Sequence, residues 1–230
     1  MVTISDERSA GGRVYRRRRR LPALVLLLVL AAVVGVVWVR VLGRETTVAG
    51  PGQCPAPATP TATAAPNPAT PSAQVPVPGR AVDRAVLGGT TPAAPADVSV
   101  RVLNANGQRG QAGLVAAQLM QLGFGAPKDT PVGNDTVYAD QNMQCVGQIR
   151  FGAMGLAQAR TVQLVVPCAE LVQDARTGAG VDLALGTTFR EILPSTATSN
   201  VLASLNDAKK KGAPPALDQP TLDTATNARC

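Results

Sequence analysis

The sequence contains no histidine, and aromatic residues make up only 3% of its 230 residues. Histidine is the usual side chain for proton transfer at neutral pH and the commonest metal ligand, so its absence removes two frequent kinds of active site. Lysine is also scarce, and Lys128 is the single lysine between residues 97 and 193. We therefore expect no enzymatic activity, no metal and no cofactor.

Positive charge is plentiful, but it is concentrated at one end of the chain. Residues 1–40 contain eight arginines and two acidic residues, a net charge of +6, whereas the whole chain carries +7. Nucleic-acid binding needs a basic surface on the folded part, because phosphate neutralisation supplies most non-specific affinity. The remainder of this chain is close to neutral, so we exclude nucleic acid as a partner.

A run of nineteen uncharged residues, Leu21 to Val39, consists almost entirely of Leu, Val and Ala. At about 1.5 Å per residue it reaches roughly across the 30 Å core of a bilayer. The five arginines at 16–20 predict that residues 1–20 stay in the cytoplasm, because positive charge beside a first span is retained inside. The prediction is a single transmembrane helix at 21–42, with everything after it extracytoplasmic.

A cleaved signal peptide is the alternative explanation of this run. Signal peptides usually have an apolar core of about 7 to 15 residues, followed closely by a small-residue cleavage site. Here the core is longer, and the nearest such site, Thr47 to Ala49, lies well beyond its end. We favour an uncleaved single-pass anchor in the cytoplasmic membrane.

Residues 43–96 form a predicted linker, in which eleven of the nineteen prolines of the chain fall between Pro51 and Ala96. This Pro, Ala and Thr composition cannot bury enough apolar surface to offset the entropy of ordering. At up to about 3.1 Å per residue the linker would reach on the order of 100 Å. A plain tether is favoured over a glycosylated extension, and Ala81 to Leu87 is a candidate short helix that packs on the domain.

All four cysteines, Cys54, Cys145, Cys168 and Cys230, follow the predicted span, in a compartment where disulfides persist. An even number indicates two bridges, for which three pairings are possible. We favour Cys145 with Cys168, because both lie at the ends of predicted elements, which leaves Cys54 for Cys230. No C-x-x-C pair occurs, so neither a thioredoxin-like site nor a zinc site is expected.

Two strand-helix units are predicted between residues 97 and 193. Asp97 to Leu103 alternates like a half-buried strand, and after Gly110 five apolar residues share one helical face up to a stop at Gly123. Val146 to Phe151 predicts a second strand. Ala153 to Val166 predicts a second helix, although its last residues also alternate like a strand.

Further short elements complete the predicted domain. They are strands at Ala169–Gln173 and Val181–Leu185, and a turn of helix at Thr187–Leu193. Together these elements predict an α/β fold, an α+β sandwich whose helices pack on one face of a small mixed sheet. Residues 194–230 are predicted to be a loose tail, with one short helix near Asn200 to Ala208.

Several of these segments resemble the LytR C-terminal domain. They are Val100–Asn104, Gly107, Gly110, Leu122–Phe124, Val181–Gly186 and Phe189. The resemblance covers about residues 97–193 and favours helix through Val166. LytR-type phosphotransferases carry this domain behind a separate catalytic domain, and no segment here is long enough to supply that catalytic part.

The resemblance implies a protein that maintains the integrity of the cell envelope. It would act outside the membrane by binding a cell-wall polymer or an envelope protein. The alternative is an accessory subunit that acts in trans with a LytR-type phosphotransferase. A cytoplasmic regulator is a third possibility, and it requires the opposite membrane orientation.

The candidate ligand-binding loop runs from Asn104 to Gln111 and is followed directly by the first helix. Its candidate residues are Asn104, Asn106, Gly107, Arg109 and Gly110. Free backbone N–H groups at a helix start attract anions, and Arg109 adds a positive charge, so a wall phosphate or carboxylate suits this loop. A tight turn closed by the asparagines is the competing interpretation.

Overall fold

The structure is a computed structural model that describes residues 25–27, 29–31, 34, 53–58 and 79–226. The predictions for residues 1–20, for Cys230 and for most of the span and linker lie outside these ranges. The described residues between 25 and 34 are helical. Within the described ranges, no helix is long and apolar enough to cross a membrane. The chain divides into two compact units, Met1–Thr46 and Thr47–Cys230.

The second unit is built on a six-stranded mixed sheet. Its strands are β1 Arg80–Val82, β2 Val100–Asn104, β3 Val132–Asn134, β4 Gly147–Phe151, β5 Glu170–Gln173 and β6 Val181–Leu185. They lie in the order β1-β5-β4-β6-β2-β3. The β1–β5 and β4–β6 pairs are antiparallel, whereas β4–β5, β2–β6 and β2–β3 are parallel. The predicted mixed α/β fold is confirmed.

Four α-helices lie on one side of this sheet, two of them against its strands and two against other helices. They are α1 Gln111–Gln121, α2 Leu156–Val165, α3 Thr196–Lys211 and α4 Gln219–Thr226. Residues of all four helices share one apolar core with alternate strand residues such as Ile149, Phe151 and Leu183. Because side chains alternate along a strand, Arg150 and Asp182 lie on the opposite face of the sheet.

The first predicted helix forms as its pattern indicates. Ala112, Val115 and Leu119 are buried against the sheet. The chain then turns at Gly123, whose φ of +88° lies in the left-handed region that glycine adopts without strain.

The folded part extends beyond residues 97–193 at both ends. Before residue 97 lie β1 and a 3-10 helix at Arg84–Leu87, in which Leu87 is completely buried. The predicted short helix at Ala81–Leu87 is therefore partly strand and partly 3-10 helix. Both pieces fold because β1 hydrogen-bonds to β5 and Leu87 enters the core.

The predicted loose tail contains α3, which is longer than the short helix expected there, and a second helix, α4, that was not expected. Ser195 caps α3 by accepting a hydrogen bond from the Thr198 N–H at 3.0 Å. Val201, Leu202 and Leu205 bury one face of α3 in the core. The sequence does not show this apolar face clearly, because the lysines in the last turn of α3 make the segment polar on average.

The predicted turn of helix at Thr187–Leu193 is wrong, since this stretch has no helical structure. It contains one tight turn, closed by a hydrogen bond from the Phe189 N–H to the Gly186 carbonyl at 3.1 Å. Thr187 and Thr188 donate to the Met143 and Cys145 carbonyls at 2.8 and 3.1 Å, which ties the turn to the loop before β4. The chain instead follows the end of the sheet and buries Phe189 and Ile192 in the core.

The favoured disulfide pairing is also wrong. Cys145 is bonded to Cys54, with 5.0 Å between their Cα atoms. Cys145 belongs to a small cluster with Leu103, Tyr138 and others on the face of the sheet opposite the helices. Cys168 lies three residues after the end of α2 and is bonded to a cysteine other than Cys145. Sequence position showed that both cysteines lie at element ends, but not which cysteine each of them meets in the fold.

Candidate functional site

The predicted loop connects the end of β2 with the start of α1. Its asparagines hold it in shape: the Asn104 side-chain amide donates to the Gln108 carbonyl at 2.9 Å, and the Asn106 side-chain oxygen accepts from the Gln108 N–H at 2.9 Å. The Asn106 amide also donates to the Gly186 carbonyl at 2.9 Å. The asparagine side chains therefore close a tight turn, which is the competing interpretation of this loop. They also fix the loop against the end of β6.

Two glycines of the loop are required by its backbone. Gly107 has a φ of +72° and Gly110 a φ of +80°, values at which a side chain would be strained. Gly110 is the residue immediately before α1, and no side chain caps this helix. Among the described residues, the N–H groups of Ala112 and Gly113 have no hydrogen-bond acceptor. The start of α1 thus presents free donors to the surface.

The loop forms one wall of a surface depression with a volume of about 580 Å³. The opposite wall is β3, Val132–Asn134, and Gln141 also lines the depression. Arg109 is the only charged residue among those lining the depression, and it is exposed. The depression therefore carries a positive charge and no acidic side chain, an arrangement that favours an anionic group.

A second polar site lies on the face of the sheet without helices. Asp135 and Arg150 form a bidentate ion pair, with nitrogen-oxygen distances of 2.6 and 2.9 Å. The Asp135 side chain is fully buried and that of Arg150 is only 6% exposed. The Arg150 Nε also donates to the Gln148 side-chain oxygen at 2.9 Å, so the guanidinium is surrounded by acceptors.

Tyr138 joins this network to the disulfide-bonded segment at residues 53–58. Its hydroxyl donates to the Pro55 carbonyl, and the Arg150 guanidinium carbon lies 5.9 Å from the centre of its ring. Burial, helped by the nearby negative charge of Glu170, raises the pKa of Tyr138 to about 12. The phenol is therefore a hydrogen-bond donor at neutral pH and holds Pro55 against the sheet.

Arginines and aspartates next to this network form a second set of ion pairs. Asp182 accepts from the Nη2 atoms of both Arg101, at 2.7 Å, and Arg176, at 2.8 Å. Burial would raise the pKa of Asp182, but these hydrogen bonds outweigh burial and lower it. Arg176 also pairs with Asp174 at 2.6 Å. The Asp182 carboxylate is therefore ionised, and both aspartates serve as structural partners of arginine.

The structure brings most of the predicted loop residues together. Asn104, Gly107, Arg109 and Gly110 line the depression, whereas Asn106 is directed to Gly186. Sequence reasoning missed β3, the second wall, because Val132, Gly133 and Asn134 show no strand pattern and are all exposed. Among the described residues, no group of three or more Cys, Asp or Glu side chains is placed to hold a metal ion.

The fold and the loop define a small α/β domain of the LytR C-terminal type. Residues 97–189 match the family model described as LytR cell envelope-related transcriptional attenuator. The chain is 38% identical over 206 residues to Cell envelope integrity protein Cei of Mycobacterium tuberculosis, covering 90% of this chain and 89% of that protein. The chain belongs to the family of LytR C-terminal domain proteins that includes Cei.

A solved structure agrees with this assignment. The soluble domain of a conserved hypothetical secreted protein from Mycobacterium marinum is 41% identical to the chain and superposes with a TM-score of 0.59. The match covers 66% of this chain and 98% of that domain. The similarity in sequence and fold thus extends over the whole of the solved domain.

Proposed function

We propose that the protein is anchored in the cytoplasmic membrane and maintains the integrity of the cell envelope from the outer side. Its relative in Mycobacterium tuberculosis is named for envelope integrity, and the Mycobacterium marinum protein is described as secreted. The Cys54–Cys145 disulfide suits an oxidising compartment. The arginine block and the apolar run that follows it support an anchor with a cytoplasmic N-terminus.

The protein acts by binding rather than by catalysis in this proposal. Its most buried acids, Asp135 and Asp182, are each held by arginine side chains. With no histidine in the sequence, serine and threonine hydroxyls lack the usual activating base. The alternative, an accessory role beside a LytR-type phosphotransferase, also requires only binding. In that case the partner is the phosphotransferase.

The observation that carries the binding proposal is the depression between the Asn104–Gln111 loop and β3. It combines a rigid loop, free backbone donors at the start of α1 and the single charge of Arg109. Such a site binds an anionic group through backbone N–H groups and one arginine. A wall polymer or an acidic segment of an envelope protein offers that group.

The disulfide shortens the tether that the linker was expected to provide. Cys54 lies fourteen positions after Arg40 in the sequence, and its bond to Cys145 makes the linker between Cys54 and β1 part of a closed loop. At about 3.3 Å per residue, the connection from a span ending near Arg40 reaches at most roughly 46 Å. Only the segment between the predicted span and Cys54 can then serve as the tether.

Loss of the gene tests the envelope role. We expect the deletion strain to stop growing at lower concentrations of detergent and of wall-active drugs, because an envelope-stabilising protein is missing. The measurement is the inhibitory concentration for each compound, with and without a restored copy of the gene. Restoration by an Arg109→Gln variant should be weaker than by Arg190→Gln, a matched change at an exposed arginine outside the depression. Equal sensitivity of the deletion and parent strains would contradict the proposal.

A further inference from the structure

The strand β3 is an edge strand with unused backbone groups. It is the last strand of the sheet and pairs with β2 alone. On its inner side, the Pro131 carbonyl accepts from Val102 at 3.0 Å and the Asp135 N–H donates to Asn104 at 2.7 Å. Since backbone groups alternate in direction along a strand, those of Val132 and Asn134 point away from the sheet. Among the described residues they have no hydrogen-bond partner.

This free edge borders the depression described above. Val132, Gly133 and Asn134 form one wall, and the residues opposite include Gly110 and Gly113, which have no side chain. A Cβ atom added at Gly110 or Gly113 would meet no atom within 4 Å, so the space beside the edge is open. A further chain can therefore approach the backbone of β3 closely.

The charge of the depression limits which chain fits. Arg109 stands beside the edge, makes no ion pair among the described residues, and has no acidic neighbour in the lining. The free N–H groups of Ala112 and Gly113 lie in the same wall. An extended backbone that also carries a carboxylate would satisfy both the edge and the positive wall.

We propose that β3 binds an extended, acidic segment of a partner protein as a seventh strand of the sheet, with Arg109 contacting its carboxylate. This inference rests on the proposed function and specifies the ligand class of the same depression. A protein segment fits better than a wall peptide stem, because stems contain D-residues. Those residues break the regular alternation of side chains that strand pairing uses.

The test is a titration of the full chain in detergent micelles with a fluorescent octapeptide, followed by fluorescence anisotropy. The peptide alternates threonine and valine and has an aspartate at each end. A second probe is the same peptide with alternate backbone amides methylated, which removes the donors of one edge. A third probe is a wall tetrapeptide. We expect saturable binding of the first probe and none of the other two.

Two matched pairs of variants locate the site. Val132→Pro removes one outward N–H at an edge position that tolerates proline, whereas Val132→Thr keeps it. The loss of one backbone hydrogen bond should weaken binding roughly fivefold for the proline variant, with little change for threonine. Arg109→Gln should weaken binding and reduce its salt dependence, whereas Arg190→Gln should do neither.

Several results would overturn this inference. Three of them are binding results: the first probe does not bind, the methylated probe binds equally well, or the wall tetrapeptide binds more tightly. The fourth is self-association of the protein through β3, which would show that a second copy occupies the edge. The methylated probe keeps the test valid even if the proline variant fails to fold. Because the titration uses purified protein, its failure is distinct from a failure of the envelope role, which the deletion strain reports.

Discussion

Replacing Asp135 by asparagine should lower the free energy of unfolding by about 3 to 5 kcal/mol, because it leaves the Arg150 charge buried without a counter-ion. Both side chains are almost inaccessible to solvent, and the pair is bidentate. The Asp135 carboxylate also accepts from the Tyr138 N–H at 3.0 Å, so the loop over the sheet is loosened as well. Chemical denaturation of the full chain in micelles, followed by circular dichroism, measures the loss.

Asp140→Asn is the matched control for this prediction. Asp140 is exposed in the same loop, so its replacement should change stability by no more than about 0.5 kcal/mol. Replacing both partners, as Asp135→Leu with Arg150→Met, should cost less than the single change, because no unpaired charge is buried. If Asp135→Asn unfolds at the same denaturant concentration as Asp140→Asn, the buried pair does not have the structural role assigned to it.

Removing the Cys54–Cys145 disulfide should also be strongly destabilising. The two residues are 91 positions apart. In the chain-entropy model the bond lowers the conformational entropy of the unfolded state and so stabilises the fold by about 4 to 5 kcal/mol. Replacing both cysteines by alanine avoids a free thiol. We expect the double variant to unfold at a markedly lower denaturant concentration, measured as for Asp135.

Tyr138→Phe distinguishes the contribution of the disulfide to stability from that of the contacts around it. This change removes the hydrogen bond to the Pro55 carbonyl but leaves the disulfide in place, so it should cost only about 1 kcal/mol. A double cysteine variant no less stable than Tyr138→Phe would show that the disulfide hardly constrains the unfolded chain.

Regular apolar patterns made most of the sheet and helices predictable. Val100 and Val102 alternate in β2, and Ala112, Val115 and Leu119 share one face of α1, so these elements follow from the spacing of apolar residues. The strand β3 could not be found in this way. Its three residues are exposed and include glycine, and it forms because its backbone pairs with β2.

The candidate site was predictable only in part, for the same reason. The loop at 104–111 has asparagines and glycines in a turn-forming order, which its own sequence shows. The second wall of the depression and the Asp135–Arg150 pair arise from long-range pairing of strands, and no local pattern marks them. The disulfide partner of Cys145 likewise depends on which cysteine it meets in the fold, and sequence position does not specify that.

The location of the domain outside the membrane is the central claim, and labelling of cysteines in intact cells tests it most directly. After gentle reduction, a thiol reagent that cannot cross membranes should modify the partly exposed Cys54 in intact cells, as identified by mass spectrometry. A cysteine introduced by Ser5→Cys should react only after permeabilisation, because it precedes the predicted span. Modification of Cys54 only in permeabilised cells would contradict this location.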